Sequence, residues 1–345
     1  MLRPRLDPSL RVLWRDRSTL QVGLRPERGV VVSGLQPGDE VLVEAMDGLR
    51  DLAALHGLAA SIGVSAERVD ALLAVLASAG VISDAAAAPN LTREQRDDVT
   101  RLGPQRRARL APDAGVWAGV YPTEPQATAA DGIALVAART RRHVLVDGAG
   151  PLADAIATTL AAAGVGTVSR ARSAQTPRAD VHVLVRTDAV DVCEADALVA
   201  TDQVHLAVLV CGERLVVGPM VLPGRSACLR CLDLHRADRD PAWPHVVAQL
   251  VRQRTGAVPR ETASTVLAAG LASLQVLTQL DRCAVPASVG RTLEVELPDG
   301  LVERRRWRPH SACGCQALAI PRALASSASS AGSAGSGAPM RASVP

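Results

Sequence analysis

Val144-Leu-Val-Asp-Gly-Ala-Gly-Pro-Leu-Ala-Asp-Ala-Ile-Ala157 reads as a buried strand, a glycine turn and the start of a helix. The turn has the pattern Gly148-x-Gly150-x-x-Ala153. Gly148 permits the tight bend, Gly150 lets a phosphate approach the backbone, and Ala153 lets helix and strand pack closely. The helix runs to Gly164. Gly166-Thr-Val-Ser-Arg170 follows as a second strand and Asp180-Val-His-Val-Leu-Val-Arg186 as a third. This alternation indicates a parallel sheet with crossover helices, an α/β fold of Rossmann-like type. A ribose-binding site needs an Asp or Glu near the end of the second strand. Ser169, Arg170, Ala171, Arg172 and Ser173 stand there instead. The short interval 171–179 leaves no room for another helix.

Four of the seven cysteines form two close pairs, Cys228-Leu-Arg-Cys231 and Cys313-Gly-Cys315. Two thiol pairs far apart in the chain suit a four-coordinate structural zinc, each pair supplying two corners of a tetrahedron. The N-terminal Met1-Leu-Arg-Pro-Arg-Leu-Asp is charged and lacks the apolar core of a signal peptide, so a reduced, cytoplasmic setting is expected. A closed set of four thiolates points to structure rather than catalysis. Cys211 ends an apolar run and reads as core, and Cys193 and Cys283 as incidental thiols. His235, shortly after Cys231, reads as a helix residue near the metal rather than a ligand.

Across 345 residues the apolar content of 48% is ample for packed cores, and the length suggests two or three domains. There is no Phe, one Tyr and four Trp, and all 38 basic residues are arginine, since no lysine occurs. Any mechanism that requires a lysine is thereby excluded. The net charge of +3 is too mild to argue for nucleic acid. No apolar run reaches the roughly 18 to 20 residues of a membrane span, so no membrane partner is expected.

Residues 1–84 read as a small α+β module of winged-helix-like type. Thr19-Leu-Gln-Val-Gly-Leu24 and Gly29-Val-Val-Val-Ser-Gly-Leu35 alternate as strands around a Pro-Glu-Arg-Gly turn. Helices are expected at Pro37–Met46, at Leu49–Ile62 and from Ser65 to the stop at Gly80, with Val81-Ile-Ser as a closing strand. Glu67, Arg68 and Asp70 give the third helix a poor surface for phosphate contacts. Residues 85–130 read as a linker, apart from a helix at Thr92–Leu102. The zinc-bearing α/β domain is expected over 131–320, and the Ala-, Ser- and Gly-rich tail 321–345 as disordered. Arg304-Arg-Arg-Trp-Arg308 belongs to a hairpin around Pro298-Asp-Gly, in which Glu294 and Glu296 face arginines across strands.

The glycine turn, the segment Gly218-Pro-Met-Val-Leu-Pro-Gly-Arg-Ser-Ala-Cys-Leu-Arg-Cys231 and the helix Val266-Leu-Ala-Ala-Gly-Leu-Ala-Ser-Leu-Gln-Val-Leu277 resemble the ThiF/MoeB-type adenylating enzymes, which activate ubiquitin-like carboxyl termini. The resemblance covers about residues 140–316. Cys228-Leu-Arg-Cys-Leu-Asp-Leu-His-Arg-Ala-Asp-Arg-Asp-Pro-Ala-Trp-Pro244 is similar to actinobacterial ThiF-like proteins associated with ribosomally made, post-translationally modified peptides (RiPPs). That resemblance implies a winged-helix element that binds a precursor's leader peptide, and a ThiF-like part that docks a partner enzyme, often a YcaO-type cyclodehydratase. It also implies homodimerisation. The leader would add a strand beside Val30–Leu35, with the third helix around Leu72–Val75 flanking the groove.

The sequence departs from an active member of that family at definable positions. The only asparagine, Asn90, lies in the expected linker, and the phosphate-contacting lysine and acidic ribose partner are absent. Asp188 stands where the family places a magnesium-binding aspartate. The second cysteine pair is Cys-x-Cys, tighter than the usual spacing. Two functions are therefore expected: a non-catalytic leader-binding scaffold, and an adenylyltransferase using ATP and magnesium at Gly148, Gly150, Ala153 and Asp188. A zinc-bearing DNA-binding regulator is a third, disfavoured by the acidic third helix.

Overall fold

The structure, a computed structural model, describes residues 2–7, 10–24, 30–85, 92–120, 129–170, 178–212, 214–252 and 261–316. The Pro-Glu-Arg-Gly turn at 26–29 and the tail 321–345 lie outside them.

The N-terminal module comprises β1 (Pro4–Leu6), β2 (Val12–Asp16), β3 (Thr19–Val22), β4 (Val30–Ser33), α1 (Asp39–Ala45), α2 (Leu52–Ser61), α3 (Ala66–Ser78) and β5 (Ile82–Asp84). Strands β2, β3 and β4 form an antiparallel meander in that order, while β5 pairs with β1 in a separate two-stranded ladder. Alternation along β3 buries Leu20 and Val22 against Leu42, Leu55, Val69 and Leu76 of the helices. The caps follow from the sequence: Asp51 accepts from the Ala54 N–H and Ser65 from the Arg68 N–H. Arg68, expected on the surface of the third helix, turns inward instead. Its Nε lies 3.1 Å from Oδ2 of the fully buried Asp39, and its Nη2 reaches the Gly34 carbonyl. A buried carboxylate needs such a partner.

The segment expected as linker is largely helical. α4 (Arg93–Val120) opens with Thr92 and Gln95 bonding each other's backbone N–H groups, and it bends at Gly103, whose φ of 67° interrupts the helix. Leu102, Leu110 and Ala114 pack there against Val136 and Ala137 of α5 (Ala129–Ala138). Pro104 and Pro112 concealed this periodicity, because Pro104 starts the second half of the helix where its missing N–H costs nothing.

The α/β domain follows with β6 (His143–Asp147), α6 (Pro151–Ala162), β7 (Thr167–Ser169), β8 (Val181–Thr187), α7 (Val192–Ala200), β9 (His205–Cys211), β10 (Arg214–Val221), α8 (Leu229–Ala237), α9 (Trp243–Arg252), α10 (Thr262–Asp281), β11 (Arg291–Glu296) and β12 (Leu301–Arg306). The seven strands lie in the order β12-β11-β10-β9-β8-β6-β7. β7, β6, β8 and β9 run parallel to one another, and the pairs from β9 through β10 and β11 to β12 are antiparallel. α6 and α10 cover one face, burying Ile156, Leu160, Ala272 and Val276 on the strand valines, and α7 and α8 cover the other. Arg139 and Asp281 form an ion pair that is almost entirely buried (each side chain 1% exposed), at 2.6 Å, and Arg139 also bonds the Ala163 carbonyl.

By length and composition α10 could cross a membrane, contrary to the reading of the sequence, because until its terminal Asp281 its polar residues are uncharged Thr, Ser and Gln. More than half of it (56%) is buried as the central core helix. The Glu294 carboxylate meets Arg214 of β10 at 2.9 Å, whereas across β12 it faces Glu303.

Candidate functional site

The glycine turn keeps the backbone its sequence specifies. Gly148 has φ 153° and Gly150 φ 89°. A Cβ on Gly148 would lie 2.6 Å from the Val185 carbonyl oxygen, so only glycine lets β6 turn this close to β8. Pro151 occupies the first turn of α6, and Ala153 is fully buried against the sheet. Asp188 follows the end of β8, beside the same edge, in the left-handed region at φ 59°. Its N–H bonds the Val210 carbonyl, and its own carbonyl accepts the Cys211 thiol. Cys211, read as core, is partly buried against that core, and burial pushes its thiol up to about 11.

The side chains around the turn are tied to one another. Arg170, at the end of β7, donates to the Gly148 carbonyl at 2.9 Å and pairs with Asp154 of α6 at 3.1 Å. Arg186 donates to the Asp147 carbonyl at 2.7 Å and to its carboxylate at 2.8 Å, and it also binds Glu194 of α7. His182 approaches the same carboxylate at 3.4 Å. Hydrogen bonding from His182 and Arg186 holds the Asp147 carboxyl well below the usual carboxylate range. Two guanidinium groups thus stand at the turn, both already engaged by carboxylates and backbone carbonyls. An ATP placed here would meet no acidic ribose partner at the end of β7, and of the buried nitrogens of the two guanidinium groups only Nη1 of Arg170 is left without a hydrogen-bond partner. On the ribose side the residues present do not fit the nucleotide that the glycine pattern suggests.

Asp147, Arg186 and Glu194 were not singled out by sequence. Their one linear signal is position: Asp147 immediately precedes the turn and Arg186 stands near the end of its strand. Only the adjacency of β6 and β8 unites them.

The cysteines behave differently. Cys228 caps α8, Cys231 lies within its first turn, and Cys313 and Cys315 arrive on the segment after β12. All four are buried, with sulfur separations of 3.7 Å (Cys228–Cys231), 3.6 Å (Cys228–Cys313) and 3.5 Å (Cys231–Cys315). A disulfide needs about 2.05 Å, which these are not. Four thiolates around a zinc at roughly 2.3 Å stand about 3.8 Å apart at tetrahedral angles, close to the spacing found. Cys231 also accepts the His310 N–H at 3.3 Å, a second contact of the kind that orients metal ligands. The Cys-x-Cys pair therefore closes the cluster despite its tight spacing, and the group can hold a metal ion.

A polar collar braces this cluster. His235 hydrogen-bonds the Arg308 carbonyl at 2.9 Å, and His310 bonds Asp238 at 2.9 Å. The Trp307 indole donates to Thr292 and the Trp243 indole to Asp233, with Arg236 lying over both rings. The dense polar stretch Asp233–Asp240 is thus partly consumed in holding α8, α9 and the C-terminal segment together.

No protein-family model and no curated protein matches this chain. Solved structures do. A heterocyclase in complex with substrate and cofactor matches at TM-score 0.57 and 17% identity, covering 91% of this chain and 39% of that one. The heterocyclase TruD matches at TM-score 0.58 and 16% identity, covering 91% and 42%. E. coli MccB with AMPCPP and MccA matches at TM-score 0.54 and 12% identity, covering 91% and 99%. The fold is similar to that of MccB, a ThiF/MoeB-like adenylating enzyme. At these identities the likeness concerns the fold alone, and the chain spans about two fifths of the length of the heterocyclases it matches.

Proposed function

We propose that this chain is a leader-peptide-binding scaffold of RiPP biosynthesis. Its N-terminal module, read as winged-helix-like, captures a precursor's leader, and its zinc-stapled ThiF-like domain presents that precursor to a separate modifying enzyme such as a YcaO-type cyclodehydratase. The observation that carries the non-catalytic half of this reading is the arginine-tied glycine turn. The fold neighbours support the peptide half: one is a heterocyclase with substrate and another is MccB with MccA. The heterocyclases are more than twice as long as the matched share, which is why the modifying activity is assigned to a partner chain.

β4 is an edge strand of the meander, with Val31 exposed (47%) and no strand paired to its outer side among the described residues. An extended peptide adds to such an edge through main-chain hydrogen bonds. On α3, Val75 is exposed (46%) and suits the groove wall, whereas Leu72 packs into the module core and does not line it. Cys228, Cys231, Cys313 and Cys315 would hold a zinc ion that fixes the C-terminal segment to α8 and supplies no chemistry. The test is fluorescence polarisation with a labelled leader from a precursor encoded beside this gene. Micromolar binding, weakened at least tenfold by Val31→Glu or Val75→Glu, is expected; no binding, or binding indifferent to both substitutions, overturns it.

A second reading, an adenylyltransferase that activates a peptide carboxylate or amide with ATP and magnesium, has one observation in its favour. The backbone at Gly148 and Gly150 keeps a phosphate-compatible turn with Asp188 near the neighbouring strand end. Pyrophosphate exchange lost in Asp188→Ala would establish it.

A further inference from the structure

At the end of the sheet opposite the glycine turn lies a cavity of about 430 Å³ that neither reading uses. It opens where β8 begins and where α10 ends, and its volume falls within the range of small-molecule sites. Its lining includes apolar side chains, among them Val181, Leu222, Leu280 and Val285, together with three arginines, Arg142, Arg225 and Arg282, and a single carboxylate, Asp180. Asp180 is already committed, to Arg142 at 3.2 Å and to the His143 N–H at 2.8 Å. Arg225 and Arg282 have no acidic partner among the described residues. Two uncommitted guanidinium groups therefore line a concave, half-apolar space, where their planar forks suit bidentate oxyanions.

We propose that this cavity binds a small oxyanion carried on an apolar group, a carboxylate or a phosphate ester, with Arg225 and Arg282 as its cationic contacts. The site is independent of the leader-peptide reading and stands or falls without it. The competing role for the arginines is structural. Arg282 follows α10, its N–H bonds the Thr278 carbonyl, and its charge favours that helix end whether or not a ligand binds.

Calorimetric titration of the full-length, zinc-loaded protein separates the two. N-acetylleucine and phenyl phosphate are the probes, with N-acetylleucinamide and inorganic phosphate as the uncharged and body-free controls. Saturable one-site binding of at least one probe is expected, tenfold or more tighter than its control, and the better probe identifies the source of the oxyanion. The Arg225→Gln/Arg282→Gln double variant should weaken binding at least tenfold with an unchanged melting temperature. Val285→Glu, which places a carboxylate at the exposed mouth, should weaken it similarly without touching either arginine. Absence of saturable binding of either probe, or affinity unchanged in both variants, overturns the proposal. A double variant that only melts earlier while Val285→Glu binds normally assigns the arginines to the helix end and overturns it as well.

Discussion

The glycine turn and the cysteine cluster sit in one α/β domain and make opposite use of their motifs. At the turn Gly148 and Gly150 keep the open backbone of a Gly-x-Gly bend, yet Arg170 and Arg186 are tied to Gly148, Asp147, Asp154 and Glu194. At the cluster the linear spacing is irregular, yet four sulfurs converge at 3.5 to 3.7 Å. A site's competence lies in side chains that are free and convergent, and a correct backbone does not supply them. The turn keeps a structural job regardless, because it brings β6 and α6 into register with β8.

The contrast breaks most visibly at the metal. Structural zinc binding is worth on the order of 10 kcal/mol in small domains. Cys231→Ser should abolish stoichiometric zinc in elemental analysis and lower the melting temperature by about 10 °C or more, given roughly 2–4 °C per kcal/mol at this domain size. Retention of one zinc per chain in that variant would detach the cluster from metal binding. Next in size is the buried Arg139–Asp281 pair, which ties the segment before β6 to the end of α10. Removing one partner of a buried pair costs about 3–5 kcal/mol, so Arg139→Ala should show that loss in urea unfolding. Arg139→Met with Asp281→Leu should recover most of it.

The arginine ties at the turn should be worth less and should depend on pH. The folded value of Asp147 is lowered, so its stabilisation is present above the unfolded value near 3.8 and is lost as pH falls through the folded value. Asp147 is partly exposed, and solvent screening reduces its share to about 1 kcal/mol. Asp147→Asn should therefore be less stable than the parent at pH 7, and the two curves should converge below the usual carboxylate range. Convergence already at pH 5 would contradict the tie. Smallest is Asp154→Ala, where the exposed pair with Arg170 should contribute about 0.5 kcal/mol or less, readable only as a slight shift in the denaturation midpoint.

What sequence disclosed follows the same division. Local signals were sufficient for β6, the turn and α6, for the start of α3 at Ser65, and for the thiol pairs, because period, cap chemistry and ligand spacing are written within a few residues, whereas the second helix was expected from Leu49 and begins only after its cap Asp51. They failed where the cause is distant or irregular. The half of α4 beyond Gly103 was hidden by that glycine and two prolines, whereas the helix over 92–102 was expected, and β2 was hidden because all five of its residues are exposed and carry no inward alternation. The exchange of Arg68 from surface to Asp39, and the union of Asp147, Arg186 and Glu194, depend on chain segments that meet only in the fold. At the turn, sequence did not reveal that Arg170, which follows the second strand, bends back onto Gly148.

The central claim is that this ThiF-type turn no longer serves a nucleotide, and the most direct test is a calorimetric titration of zinc-loaded protein with magnesium ATP. The account predicts no saturable heat at millimolar ATP, unchanged by Gly150→Arg. One-site binding that Gly150→Arg abolishes and Asp188→Ala weakens would contradict it and establish a working adenylate site.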